Sequence, residues 1–299
     1  MKTLPILLEF LGRRLDAEGR RWLETTRAEL ARGVDLERFC VLFSMASRHA
    51  PRRPLAPDAA ELAAAQKSLP GWNPERWTTL EALRAALVLS RPDLESEAAA
   101  QAVEELFRYA DMGELCAGYK LLPHLPKPER FLWRAGEGAR SSMKAVYEST
   151  CCDSPYATAH FDGISWHQAV IKALFIEAPL WRVSAVDTRI DSELARMALD
   201  LADERRSAGR PVNPELWICL GAHAGARGLA ALERELASGP PRGRAAAALG
   251  LARAGARERL QALVALEKDT FVHRTMTQAL AGDCSSRAWA ALDPSVAGA

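Results

Sequence analysis

The stretch Gly228-Leu229-Ala230-Ala231-Leu232-Glu233-Arg234-Glu235-Leu236 is answered by Arg259-Leu260-Gln261-Ala262-Leu263-Val264-Ala265-Leu266-Glu267 at an offset of 31 residues, and Leu249 reappears as Leu280 at the same offset. Leucines three residues apart share one face of a helix. A period of this length fits two helix pairs. Between the copies, Ala245 to Ala248, Gly250 and Ala252 present small side chains that let neighbouring helices approach closely, as stacked helical hairpins require.

Residues 227–282 thus resemble short HEAT-like repeats. Chance self-similarity in an Ala-, Leu- and Arg-rich sequence is the competing explanation, since two copies are visible. Outside this region apolar residues recur at helical spacing almost everywhere, and no stretch sustains a period-two alternation rich in Val, Ile and Thr. The expected fold is all-α, an α-α superhelix or HEAT-like helical repeat array. Asn73-Pro74-Glu75 and Asn213-Pro214-Glu215 each supply an Asn cap, Pro at the first helical position and an acid in the first turn. Gly209 marks a helix C-terminus, and Ser238-Gly239-Pro240-Pro241 a tight break between two helices. The connectors Ala50-Pro51-Arg52-Arg53-Pro54 and Leu122 to Pro128 have apolar residues close on either side. They read as elbows inside one array, so residues 1–299 are expected to form a single elongated helical domain.

Of the 299 residues 48% are hydrophobic and 26% charged, a balance that excludes disorder as the main state. Lys and Arg number 39 against 38 Asp and Glu, with 22 and 21 in residues 1–150 and 17 and 17 in residues 151–299. No basic domain marks a nucleic-acid partner, and none is expected. The longest run free of charged residues, Leu216 to Ala226, falls short of a membrane span, so direct membrane insertion is not expected. The first residues reach Glu9 without a cleavage motif, which argues against a signal peptide and for a cytoplasmic location. The six cysteines, at 40, 116, 151, 152, 219 and 284, have no repeated spacing and read as free thiols.

Residues 134–217 differ from the rest. Arg140, Met143, Lys144, Val146, Tyr147 and Glu148 are expected on one helix that leads into the polar turn Cys151-Cys152-Asp153-Ser154-Pro155-Tyr156. Ser165 and Gln168 suggest a capping box for a helix from Trp166, with Ile171, Leu174 and Phe175 as its apolar stripe and Lys172 within it. Such a lysine either snorkels to the rim or is drawn inward to an acid, Asp187 or Glu148, or to an anionic ligand. After Asp187-Thr188-Arg189-Ile190, Asp191 is placed to cap a helix with Leu194, Met197 and Leu201 on its core face. The charges at Asp200, Asp203, Glu204, Arg205 and Arg206 read as its solvated side. Arg210, between Gly209 and Pro211, has a constrained backbone and a planar fork suited to carboxylate or phosphate.

This segment resembles the signature region of the EboA family, the helical component of a bacterial gene cluster implicated in secondary-metabolite export. The matching text runs from Glu137-Gly138-Ala139-Arg140 through Tyr156, Trp166, Gln168, Lys172-Ala173-Leu174-Phe175, Asp187, Arg189, Leu194-Ala195-Arg196-Met197, Glu204-Arg205 and Ala208-Gly209-Arg210 to Trp217. It spans about eighty residues. The Leu121 to Pro128 elbow and Glu104-Glu105-Leu106-Phe107 also look familiar, whereas the first hundred residues and the last seventy carry little family signal. His167 and Asp191 stand where the family leads one to expect Asn. The resemblance implies cytoplasmic metabolite traffic beside proteins of the same cluster: a membrane prenyltransferase-like protein, a metal-dependent hydrolase-like protein and sugar-phosphate isomerase-like proteins. It supplies no catalytic residue.

Cys151, Cys152, His160, Asp162 and His167 are metal-ligand types, but adjacent cysteines rarely chelate one ion and no C-x-x-C or H-E-x-x-H supports them. No metal or other cofactor is expected. Gly163-Ile164-Ser165-Trp166-His167 lacks the closing Gly of a nucleophile elbow, and no Gly-rich phosphate loop occurs. The leading expectation is a non-enzymatic scaffold or carrier that binds an anionic metabolite or a partner protein. Its candidate binding residues are Arg140, Lys144, Tyr156, Trp166, Lys172, Asp187, Arg189 and Arg210. Two alternatives remain: an enzyme using Lys172, His160 and Asp187 for acid-base or Schiff-base chemistry on a small carbonyl metabolite, and a plain HEAT-like interaction module.

Overall fold

Side-chain caps fix where most helices of the first half begin. Asp16, Asp35, Asp58, Thr78, Ser96 and Asp111 each accept a backbone N–H from the first turn that follows, filling donors that a helix start leaves open. At Asp58, Thr78 and Asp111 a reciprocal bond from Glu61, Glu81 or Glu114 completes a capping box. The structure, a computed structural model, describes residues 2–293. The chain divides into two compact units, Met1–Asp162 and Gly163–Ala299, with the boundary inside the 134–217 stretch. Among the described residues all regular structure is helical, apart from isolated bridge residues such as the antiparallel pair Pro54 and Thr78.

Unit 1 holds α1 (Leu4–Arg14), α2 (Ala17–Ala31), α3 (Leu36–Met45), α4 (Ala59–Ser68), α5 (Thr79–Leu89), α6 (Glu97–Leu106), α7 (Met112–Leu121), α8 (Leu132–Arg140), α9 (Lys144–Cys151) and α10 (Tyr156–His160). Every residue of α5 is buried, as befits a helix that is apolar nearly all round. Helices α1, α2 and α7 pack on it. The one arginine inside α5, Arg84, lies with its guanidinium over the Phe43 ring and donates to Glu114 at 3.1 Å. The three prolines from 123 to 128 give two 3-10 turns, Leu122–His124 and Pro128–Phe131, which redirect the chain into α8. Where α8 meets α7 and α9, Gly138 allows close approach. A Cβ there would lie 2.6 Å from the Tyr119 ring and 2.3 Å from the Thr150 hydroxyl.

Unit 2 holds α11 (Gly163–Ile176), α12 (Ser192–Ser207), α13 (Gly225–Ser238), α14 (Pro241–Arg253), α15 (Arg257–Val264), α16 (Thr270–Ala281) and α17 (Ser286–Leu292), with a 3-10 segment at Pro214–His223. Helix α14 is its centre, packed against that segment, α13 and α16. The repeated leucines fall on α13 and α14 in the first copy and on α15 and α16 in the second. The small residues from Ala245 to Ala252 are buried, and a Cβ on Gly250 would meet the Leu232 side chain at 2.6 Å and the Trp217 carbonyl at 2.8 Å. Among the described residues no helix is long and apolar enough to cross a membrane.

Three local expectations need correction. The helix expected over 140–148 is broken, α8 ending at Arg140 and α9 opening at Lys144, with the Ser141 hydroxyl accepting from the Met143 N–H at 3.1 Å in the turn between them. Helix α11 begins at Gly163, so Ser165 sits inside the helix and forms no capping box with Gln168, and Phe175 points to solvent at 57% exposure. Helix α12 buries Leu194, Ala195, Ala198, Leu199 and Ala202, leaving Met197 and Leu201 half-buried. Its alanines let α12 pack on the 214–223 segment, and this rotates the buried face away from the larger side chains.

Candidate functional site

In unit 1 the expected binding residues sit around the turn after α9. Tyr156 is buried, with its ring against His160 and Phe161 and its hydroxyl donating to the Pro128 carbonyl at 2.6 Å. That bond ties α10 to the elbow preceding α8. Burial, with Glu129 and Glu104 nearby, raises the phenol well above its ordinary range. The adjacent Cys151 is fully buried, which pushes its thiol up to about 12 and keeps it protonated at neutral pH. Arg140 ends α8 as an exposed side chain paired with Glu137. Lys144 opens α9 with its Nζ 4.0 Å from Glu148.

In unit 2 the loop between α11 and α12 carries two of the expected residues, Asp187 and Arg189, and α11 carries Trp166. The Arg189 guanidinium lies over the buried Trp166 ring, 4.5 Å from its centroid. Asp187 accepts from the Ser286 backbone N–H at 3.0 Å and the Ser286 hydroxyl at 2.8 Å, and it pairs with Arg253. From a distant part of the chain it thus fills the first N–H of α17, while Ser285 caps that helix by accepting from the Ala288 N–H at 3.0 Å. Arg253 also donates to the carbonyls of Ile218 and Cys284, joining α14, the 3-10 segment and the start of α17 through one guanidinium. Beside this junction lies a polar cleft of about 400 Å³, lined by Asp187, Arg253, His223, Cys284 and Ser285. Sequence reasoning missed Arg253 and Ser286. The signal available is the arginine on which the alanine-rich run of α14 closes.

Asp187 is thus engaged by Arg253 and Ser286, and Lys172 finds another neighbour. Its Nζ lies 5.6 Å from the centroid of the exposed Phe175 ring. Among the described residues neither Lys172 nor Arg210 has a carboxylate partner. Arg210 follows a Schellman turn in which Gly209, at φ +65°, donates to the Arg206 carbonyl and Arg210 to that of Arg205. Three residues on, the Asn213 side chain donates to the Leu174 carbonyl at 3.0 Å, tying the Arg210 turn to the last turn of α11. Five cations of the expected set therefore divide as Arg140 and Lys144 in unit 1 and Lys172, Arg189 and Arg210 in unit 2. Among the described residues no group of three or more His, Cys, Asp and Glu is placed to hold a metal ion.

The family model described as Metabolite traffic protein EboA matches residues 3–221. The chain belongs to the EboA family. No curated protein and no solved structure matches it. The EboA match takes in the first hundred residues, whose sequence carries little recognisable family signal, and it stops at Gly221, ahead of α13. The two helix pairs of 227–282 lie beyond it. Within the EboA match, the two positions where Asn was expected satisfy each other, since His167 Nε2 and Asp191 Oδ2 are 2.9 Å apart. Asp191 also caps α12 by accepting from the Leu194 N–H at 2.8 Å.

Proposed function

We propose that this EboA family member is a non-enzymatic scaffold or carrier in cytoplasmic secondary-metabolite traffic, its helix pairs stacked as HEAT-like repeats of an α-α superhelix. Its contact surface takes an anionic metabolite or an acidic segment of a partner from the same gene cluster, whether prenyltransferase-like, hydrolase-like or isomerase-like. The observation that carries this reading is the pair Lys172 and Arg210, two cations on segments joined by the Asn213 to Leu174 bond, without carboxylate partners among the described residues and beside an exposed aromatic ring. A guanidinium and an ammonium held this way present charge-assisted donors to an anion. Arg140, Lys144 and Arg189 belong to the same candidate set, and Tyr156, Trp166 and Asp187 hold the segments that carry it.

Support for a binding role over a catalytic one comes from how the reactive groups are used. Asp187 is saturated by Arg253 and Ser286, and burial keeps the Cys151 and Cys219 thiols up at about 12. Capture of tagged protein from its native cells after mild crosslinking, beside Lys172→Ala and Arg210→Ala variants, tests the proposal. Recovery of cluster proteins or an anionic metabolite by the parent chain, reduced at least about tenfold in either folded variant, is expected. Identical recovery from all three proteins would remove this surface from the function.

A further inference from the structure

A second cavity lies in unit 1, between α3, α6 and the start of α7. It encloses about 470 Å³, within the range of small-molecule sites. Its walls are apolar: Leu36, Val41, Phe43, Leu106 and Tyr109, of which Leu36, Val41 and Tyr109 are also exposed to solvent. What distinguishes it is its charge. Three carboxylates, Glu37, Glu105 and Glu114, line the same recess. Arg108 pairs with Glu105 at 3.3 Å and the buried Arg84 pairs with Glu114 at 3.1 Å. Glu37 has no cationic partner among the described residues, which leaves one uncompensated negative charge beside an apolar recess.

We propose that this groove binds a small amphiphilic amine, with its apolar body against Val41, Leu106 and Tyr109 and its single ammonium charge at Glu37. The complementarity has two parts. Apolar burial supplies most of the affinity, and the carboxylate supplies the discrimination between cationic and anionic head groups. Cys40, half-buried in the same wall, agrees with a negative environment: burial raises its thiol, Glu105 and Glu114 raise it further, and Arg91 opposes them. The groove is in a different unit from Lys172 and Arg210 and takes the opposite charge, so its fate is separate from that of the function proposed above.

Decylamine, decanol and decanoate, used below their micellar thresholds, share one apolar chain and differ in head charge. Calorimetry on the full chain should give decylamine at least about tenfold tighter than decanoate, with decanol between them. Bound decylamine should slow maleimide alkylation of Cys40, read by peptide mass mapping, without slowing that of Cys284. Glu37→Gln should weaken decylamine about fivefold and leave decanol unchanged. Val41→Arg, at a position already exposed, should abolish binding of all three, with circular dichroism reporting an intact fold. Lys172→Ala should leave decylamine binding as it was. Equal affinities for the three probes, tighter binding of decanoate, or decylamine binding that leaves Cys40 unprotected would overturn the proposal.

Discussion

His167 and Asp191 show how two residues that look anomalous one at a time make sense as a pair. His167 is nearly buried and Asp191 half exposed, and their contact adds to a helix cap that Asp191 already provides. Burial works to raise the Asp191 carboxyl, but the Leu194 N–H and the His167 imidazole hold it below its ordinary value. Its contribution is therefore present above pH 4 or so and lost as the pH falls through the lowered value. In a double-mutant cycle with His167→Asn and Asp191→Asn, the coupling should be about 0.5 to 1 kcal/mol, measured by urea denaturation at neutral pH. Glu215 is the opposite case. Its carboxyl is buried and pushed up to about 7, although the Leu180 N–H donates to it at 2.9 Å. A raised carboxyl stabilises the fold below its ordinary value of 4.5, and the benefit drains away as the pH rises through 7. Glu215→Gln should match the parent near pH 5 and exceed it by about 3 kcal/mol near pH 8, a crossover that denaturation at the two pH values will show or refute.

At the scale of elements, two junctions decide how helices meet. The α8 helix touches α7 and α9 through Gly138, and an added methyl would press on Tyr119 and Thr150. Gly138→Ala should cost about 2 to 3 kcal/mol, seen as a lowered Tm. In unit 2, Asp187 accepts the first N–H of α17, beside the Ser285 cap. Asp187→Ala removes an acceptor shared by Arg253 and Ser286 and should cost about 2 kcal/mol, with amide exchange quickening first in 286–292. The elements themselves were readable, because turn punctuation and helical periodicity are local. The Asn caps at 73 and 213 accept the bonds expected of them, though each opens a 3-10 turn. Local pattern did not tell which face of α12 is buried, since its alanines count for little in hydropathy and for much in close packing. It could not have paired Asp187 with Ser286 either, because nothing near residue 187 refers to residue 286.

Across the whole molecule, the two units should respond to acid in opposite directions. In unit 1, His124 is buried edge-on to Trp72 and Trp77, and burial depresses its imidazole to about 3. The unfolded chain binds that proton near pH 6.5, so unit 1 weakens as the pH falls below it, by about 2 kcal/mol at pH 5. Unit 2 gains over the same interval through Glu215. Hydrogen exchange followed at pH 7.5 and pH 5, with intrinsic rates corrected, should show protection falling in α5 and α7 and rising in α14; a parallel change in both units would contradict it. The candidate surface was legible in part at this scale. Lys172 and Arg210 stand out in sequence as cations with odd surroundings, but the cleft at Arg253 and the groove at Glu37 are products of tertiary assembly, to which no motif points.

The Asp187 junction also sets an order of events during synthesis. Its partners are 66 and 99 residues downstream. At about 5 to 20 residues per second, the loop before α12 waits roughly 5 to 20 seconds on the ribosome before Ser286 is made. For most of that interval the carboxylate has neither Arg253 nor Ser286 to pair with. The stretch that defines the family is thus finished by residues lying beyond it, and a nascent chain halted at Gly221 would carry the family's signature with this corner still open.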